Sequence, residues 1–394
     1  MSMIRPAGRL LAAASLLSLA VPAAAQMAQG SAADARPAPQ ADSVDPSLPT
    51  QLPRTAVPHR YSIQVVPNAE ALTFGGAVRI ALDIVKPTDT LVLNAADLAI
   101  DGATLYGPDG KSHRAKAVLD AGAQTASFDF GETLPTGAYY LDIPYTGKIN
   151  TQANGLFALD YKDPDGTQRR GLFTQFEAPD ARRFVPSWDE PDYKAVFDLT
   201  ATVPSDQMPL SNMPIKASED VGNGMSKVTF GTTPPMSSYL LFFGLGDFER
   251  IHREAGGTDV GIVMSKGKAD QGQYALDAAS AILPFYNDYF GTPYPLPKLD
   301  NIAGPGQSQF FGAMENWGAI FTFERILLND PTITSEGNRQ SIFSVAAHEM
   351  AHQWFGDLVT MAWWDDLWLN EGFASWMENK TTATLHPEWN ADID

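Results

Sequence analysis

The chain has no cysteine, which excludes disulfides and any lipid attached through a thiol. Basic residues are scarce, 27 Lys and Arg against 46 Asp and Glu, for a formal charge of −19. Such a surface repels phosphate backbones and anionic lipid, so nucleic acid is not an expected partner. Long hydrophobic runs are also wanting. The most apolar stretch, Leu10 to Val21 (LLAAASLLSLAV), falls short of the roughly 20 residues that a membrane span needs. Arg5 and Arg9 precede it and Ala23-Ala24-Ala25 follow it, the pattern of a secretory signal over residues 1–25. Export to a periplasm or beyond is expected, with no stable membrane anchor once the signal is removed. What the chain does have is 394 residues, 44% of them hydrophobic and 10% aromatic, the composition of a packed globular protein with room for two domains.

Residues 26–54 are rich in Ala, Pro, Gln, Ser and Asp with scarcely a large apolar side chain, and are expected to form a disordered linker. The character then changes. YSIQVV (Tyr61–Val66), AVRIALDIV (Ala77–Val85), AYYLDIPY (Ala138–Tyr145) and VFDLTATV (Val196–Val203) alternate apolar with polar and are separated by Gly, Pro, Asp and Asn. Alternation at short spacing predicts an N-terminal antiparallel β-domain, a sandwich or saddle, over residues 55–250. Near Tyr274 the apolar period becomes helical, in YALDAASAILPFYNDYF (Tyr274–Phe290). The Pro-rich TPYPLPK ends that helix, and Phe310–Leu328 reads again as strand. A further helix is expected from Glu336 to Phe355, with Ser335 as N-cap and Gly356 as the residue past its end. Another begins near Leu367. The fold class is therefore α+β and multidomain, with the second domain over residues 251–394.

The chemistry gathers on those last two helices. In AAHEMAHQWFGDLVTMAWWDDLWLNEGFASW, His348 and His352 stand four residues apart, and Glu371 follows after eighteen more. Residues four apart share one helix face with Cβ atoms roughly 5–6 Å from each other, so both imidazoles can address one ion. Glu349 is rotated off that axis, out of reach as a ligand but able to reach a water on the metal, where a general base belongs. Glu371 completes a His₂Glu set and leaves the fourth position open, as in catalytic rather than structural zinc sites. Such a donor set favours zinc, one ion per chain, without dictating it. A bare H-E-x-x-H arises by chance in on the order of one in a hundred chains of this size, the bland alternative being a helix with two surface histidines. The returning glutamate weakens that alternative. Glu378 lies two helical turns beyond Glu371, where it either accepts a hydrogen bond from a ligand histidine or sits on a solvated face. Of the six histidines, His59, His113, His252 and His386 have no neighbour at ligand spacing. Trp354, Trp363, Trp364, Trp368 and Trp376 crowd this segment and are read as packing that locks the ligand helices together rather than as a substrate cage.

These residues closely resemble the core of the zinc aminopeptidases of the aminopeptidase N family, the gluzincins with H-E-x-x-H, eighteen residues, then E. Gly312-Ala313-Met314-Glu315-Asn316 matches that family's GAMEN exopeptidase motif. TQFEAPDARRFVPSWDEP (Thr174–Pro191) resembles the stretch closing its β-domain. The resemblance spans roughly residues 55 to 390 and implies a thermolysin-like catalytic domain, peptide substrates with a free N-terminus, and Glu315 with Glu177 flanking the substrate amine. It also implies that the Gly312, Ala313 and Met314 backbone pairs with substrate like an added strand. A tyrosine that stabilises the oxyanion belongs well downstream of the glutamate ligand in that family, whereas Asp394 follows Glu371 by only 23 residues. The catalytic domain is thus expected to be incomplete here. Residues 26–394 alone are expected to hold zinc, turn over poorly and expose apolar surface on the zinc helices.

Three rivals stand beside this reading. A thermolysin-like endopeptidase shares the metal ligands but has no use for an amine anchor. A related epoxide hydrolase, as in leukotriene hydrolase, usually carries Gly-Gly where this chain has Gly312-Ala313. A binding module on a dead scaffold would not need intact ligands. On the ligand assignment, His348→Ala is expected to abolish stoichiometric zinc, and elemental analysis that still finds one zinc per chain in the variant would refute it.

Overall fold

The computed structural model describes residues 50–163, 165–307 and 311–391. The expected signal segment and nearly all of the expected linker lie outside the described residues. The linker's last residues do not behave as linker. Leu52 is buried, and the Glu190 carboxylate accepts hydrogen bonds from the backbone N–H groups of Gln51 (2.7 Å) and Leu52 (3.2 Å). The packed unit therefore begins by Thr50, ahead of the expected position 55.

The four alternating segments are strands, as their periodicity predicts. Ala56–Asn68 pairs antiparallel with Thr73–Ile84, which pairs antiparallel with Gly137–Lys148. Tyr61, Ile63 and Val65 point into the core from the first of these while their neighbours face outward. The domain is not purely antiparallel, because Ala56–Asn68 runs parallel to Val196–Pro204. That pairing needs a long crossover, which no local pattern announces. Among the described residues an 11-stranded sheet contains these strands, and a 4-stranded sheet is built from Gly155–Lys162, Gln168–Gln175, Met208–Ser211 and Phe243–Gly246. Phe74, Phe176 and Phe243 gather around Phe184 in the core, their ring centroids 5.5–6.4 Å from its own.

The Thr174–Pro191 stretch anchors this domain. The buried Asp189 carboxylate accepts from Arg182 Nε at 2.9 Å, from the Arg182 backbone N–H at 3.1 Å and from Ser238 Oγ at 2.6 Å. Arg182 Nη2 also donates to the Asp189 carbonyl at 3.0 Å. The side chains of this ion pair are 4% and 0% exposed, so each charge depends on the other for its solvation.

A third, 5-stranded sheet opens the second domain, in the order Phe248–Ala255, Thr258–Ser265, Lys298–Gly304, Ala319–Phe323, Ala313–Met314. Its first strand starts at Phe248, so the sheet begins slightly before the expected boundary at 250. The segment read as continuous strand, Phe310–Leu328, is instead two short strands, Ala313–Met314 and Ala319–Phe323, antiparallel to each other, followed by a 3₁₀ turn. The Phe321 ring meets Phe157 and Phe173 of the β-domain at 6.2 and 5.2 Å, joining the two domains through their cores.

Three helices follow the periodicity closely. Helix α1 (Ala269–Phe290) ends at Gly291, whose φ of 61° supplies the left-handed cap. Helix α2 (Glu336–His352) has Ser335 as N-cap, its hydroxyl accepting from Asn338 N–H at 3.2 Å. It stops earlier than expected, at His352, and Gly356 with φ 141° lies in the turn beyond. Helix α3 (Leu367–Leu385) begins where expected. Tyr286 ties the three together: its hydroxyl donates to the Ala347 carbonyl at 2.7 Å and accepts from Thr381 Oγ1 at 2.9 Å. No helix among the described residues is long and apolar enough to cross a membrane.

The tryptophans divide. Trp354 is buried against Tyr286, Phe290 and Tyr294, its indole N–H donating to the Thr292 carbonyl at 2.8 Å. Trp364 packs edge-on against Tyr239. Trp368 and Trp376 are 66% and 49% exposed on α3, so they do not lock the ligand helices to each other.

Replacing Arg182 with Met would leave the Asp189 charge buried without its partner, a change that typically costs about 3–5 kcal/mol. Urea unfolding of Arg182→Met is expected to show a loss of that order, and a loss below about 1 kcal/mol would mean that the pair is not the anchor described.

Candidate metal and substrate site

Helix α2 presents His348, Glu349 and His352 from its last two turns, and α3 brings Glu371 and Glu378 to meet them. His348 Nε2 lies 3.1 Å from His352 Nε2 and 3.3 Å from Glu371 Oε2, and His352 Nε2 is 3.7 Å from the same oxygen. Tetrahedral zinc with bonds of 2.0–2.1 Å sets its ligand atoms roughly 3.3 Å apart. The three atoms match that spacing before any ion is considered. The far side of each ring is engaged as well. His352 Nδ1 is 3.0 Å from the Phe355 carbonyl, which can only accept, so Nδ1 carries the proton and Nε2 is left to face the centre. His348 Nδ1 is 3.2 Å from Glu378 Oε2. Of the two roles open to Glu378, the structure favours the one that orients a ligand. The other histidines pair with carboxylates elsewhere: His59 with Asp83, His113 with Glu132, His252 with Asp259 and His386 with Glu388.

Glu349 is buried beside the histidines. Burial pushes its carboxyl up to about 7, against the opposing pull of His352 and His348. A carboxyl tuned near neutrality can both take and return a proton.

A second cluster adjoins the first. Glu177, from the turn after Gln168–Gln175, lies with Glu315 and Glu371 such that a carboxylate oxygen from each falls within 4.8 Å of the others. Burial, followed by the charges of Glu315 and Glu371, drives Glu177 up to about 9. Glu371 therefore belongs to both groups. Just before Glu315, Ala313–Met314 is the terminal strand of its sheet, with Gly312 exposed, Ala313 part-buried and Met314 buried. Its register is held by Phe323 N–H donating to the Gly312 carbonyl at 3.1 Å and by pairing of Ala313 with Thr322 and Met314 with Phe321.

Two residues escaped the reading of motifs. Gln353, wholly buried, donates from Nε2 to the Glu315 carbonyl at 2.8 Å and accepts from Gly318 N–H at 3.0 Å, fastening the end of α2 to the Glu315 loop. Its one sequence signal is adjacency to His352. Tyr239, from a 3₁₀ turn of the β-domain, brings its hydroxyl to 3.4 Å from Glu315 Oε1. Nothing local marks it, because the contact spans 76 residues.

Comparison with known proteins fits this geometry. The Peptidase M1 N-terminal domain profile matches residues 57–240, and the Peptidase family M1 domain profile matches residues 274–394. The chain belongs to the peptidase M1 family. It is 45% identical over 327 residues to Aminopeptidase N of Acetobacter pasteurianus, covering 83% of this chain and 91% of that one. It is 42% identical over 344 residues to Aminopeptidase M1 of Arabidopsis thaliana, and 38% identical over 343 residues to Endoplasmic reticulum aminopeptidase 1 of Homo sapiens. Each of those alignments takes in 86% of this M1 family chain but only 39% and 36% of the longer relatives.

The ionisable groups of this family member's site shift one another. Burial lowers His348, but its hydrogen bonds to Glu371 and Glu378 outweigh that and carry it up to about 10. Burial lowers His352 too, and the Glu315 charge with the Glu371 hydrogen bond bring it up to about 9. Glu371 is held well below the usual carboxylate range by hydrogen bonds from both histidines. His348 Nε2 and His352 Nε2 face each other at 3.1 Å, so one of the two must accept, and a metal needs both imidazoles neutral. Zinc binding is expected to release at least one proton, so that apparent affinity rises about tenfold or more per pH unit from pH 6 to 8. Calorimetry at pH 7 in buffers of different ionisation enthalpy measures the release directly; fewer than one proton per zinc would contradict the assignment.

Proposed function

We propose that this chain carries the site of a zinc-dependent aminopeptidase that removes the N-terminal residue from peptides, in an exported protein. The observation that carries the reading is the position of Glu371, which is at once the third member of the metal set and a member of the Glu177–Glu315 carboxylate cluster. A substrate ammonium among those carboxylates lies one short step from the ion, so the carbonyl beside it is the first peptide carbonyl. An endopeptidase would have no use for such an anchor. The names of the aligned relatives, all aminopeptidases, point the same way.

His348, His352 and Glu371 would hold one zinc, which when bound supplies Lewis acidity to the attacking water and to the scissile carbonyl. Glu349 takes the proton from that water and returns it to the leaving amine, a dual role suited to a carboxyl near 7. Glu177 and Glu315 bind the ammonium, whose charge relieves their mutual repulsion. The free edge of Ala313–Met314 offers backbone N–H and C=O groups to the peptide, extending the sheet by one strand. Glu378 and the Phe355 carbonyl keep the imidazoles turned inward. The signal-like residues 1–25 support export.

Glu349→Gln should retain zinc yet lose about 10²–10⁴ in turnover of an aminoacyl chromogenic amide, since only the base is removed. Glu315→Ala should chiefly weaken discrimination for a free amine. Equal cleavage of free and N-acetylated peptides by the unmodified chain would overturn the exopeptidase reading.

A further inference from the structure

The Glu315 main chain is fastened by Gln353, and its buried carboxylate lies beside the Glu177 carboxyl and the Glu371 carboxylate, the second a like charge that tends to push it away. Something must hold that carboxylate toward the centre. We infer that Tyr239 is a positioning residue for amine recognition: its hydroxyl donates to Glu315 and holds that carboxylate where the substrate ammonium is received. The inference rests on the aminopeptidase reading and adds to it a residue supplied by the other domain.

The phenol oxygen lies 3.4 Å from Glu315 Oε1 and 3.4 Å from the Gly356 carbonyl. A phenol has one proton to give, and of two acceptors at equal distance the charged carboxylate makes the stronger bond. Burial and the charges of Glu315 and Asp357 keep the hydroxyl protonated at every working pH, so it is always a donor.

Its surroundings allow it little movement. Tyr239 is wholly buried, in a 3₁₀ turn whose residues are pinned one after another. Ser237 Oγ donates to the Pro191 carbonyl at 2.6 Å, Ser238 Oγ to Asp189 Oδ1 at 2.6 Å, and the Leu240 carbonyl accepts from Asn212 Nδ2 at 2.7 Å. The Trp364 ring closes against the phenol edge-on, centroids 5.5 Å apart. A donor held this firmly sets the orientation of its acceptor rather than following it. The β-domain thus reaches the amine site twice, through Glu177 as a direct binding group and through Tyr239 acting on Glu315.

Tyr239→Phe keeps the ring and its packing and removes only the hydroxyl. The test uses the full zinc-loaded chain and calorimetric binding of two probes, leucine hydroxamate and its des-amino analogue 4-methylpentanohydroxamic acid, both of which address the metal while only the first carries an amine. The unmodified chain is expected to prefer the amine-bearing compound. In Tyr239→Phe that preference should shrink about tenfold, the loss of one hydrogen bond to a charged group, with the des-amino affinity within about twofold of the original. In a Glu315→Gln background the same change should have no further effect on the preference, since Tyr239 acts through the Glu315 carboxylate. An unmodified chain with no preference would overturn the amine-anchor reading together with this inference. A preference that survives Tyr239→Phe, or that falls equally in the Glu315→Gln background, would overturn this inference alone.

Discussion

Four carboxylates, those of Glu177, Glu315, Glu349 and Glu371, converge on two imidazoles at the junction of the two domains, and two of the four, Glu315 and Glu349, are almost fully buried. Negative charge at that density and burial persists only where cations or protons answer it. Part of the answer is protonation, since burial lifts Glu349 to about 7 and Glu177 to about 9. A site in that state is poised to exchange protons for cations. Two cations of different kind fit it, a divalent metal on the histidine side and an ammonium on the side of Glu177 and Glu315, with Glu371 between them. The selectivity proposed for this protein follows from that electrostatic requirement together with the fixed spacing between the two positions.

Holding such a site together against its own repulsion is a task for the scaffold, and polar contacts across the domain junction perform it. Lys194 of the β-domain donates to the Asp357 and Leu358 carbonyls just past α2, at 3.2 and 3.1 Å. Asn212 donates to the Trp317 carbonyl at 2.9 Å as well as to its own domain. Asp189, held by Arg182, fixes Ser238 and thereby Tyr239. The chain stretch that resembles a family signature, Thr174–Pro191, contributes to this scaffold: Glu177 reaches the site, while Asp189 and Glu190 serve the fold. The apolar contact of Phe321 with Phe157 and Phe173 supplies the remainder of the junction.

Most elements were legible in advance because the interactions that form them are local. Strand alternation placed Tyr61, Ile63 and Val65 inward, and a serine before an apolar helical pattern capped α2 at the residue expected. The meeting of His348, His352 and Glu371 was legible for the same reason. His348 and His352 are related by one helical turn, and Glu371 follows on a helix whose start could be seen. The misreadings have a common cause as well. The parallel pairing of Ala56–Asn68 with Val196–Pro204, the break between Ala313–Met314 and Ala319–Phe323, and the exposure of Trp368 and Trp376 all depend on what lies opposite in space. A tryptophan reads as core from its composition, but a neighbour must be present to bury it.

The sequence by itself therefore determined that His348, Glu349 and His352 share the end of one helix, that Glu371 follows on the next, and where those helices begin, since helical periodicity converts spacing directly into a shared face. Only the tertiary structure decided that Glu177, Glu315 and Glu371 meet, that Gln353 and Tyr239 support Glu315, and that Glu378 turns toward His348 rather than toward water. Those contacts span from 30 residues, for His348 with Glu378, to 371 − 177 = 194, for Glu177 with Glu371, and no repeat period encodes them. They exist because packing two cores together fixes where polar side chains near the seam end up, and it is packing over the whole chain, not any local pattern, that sets that geometry.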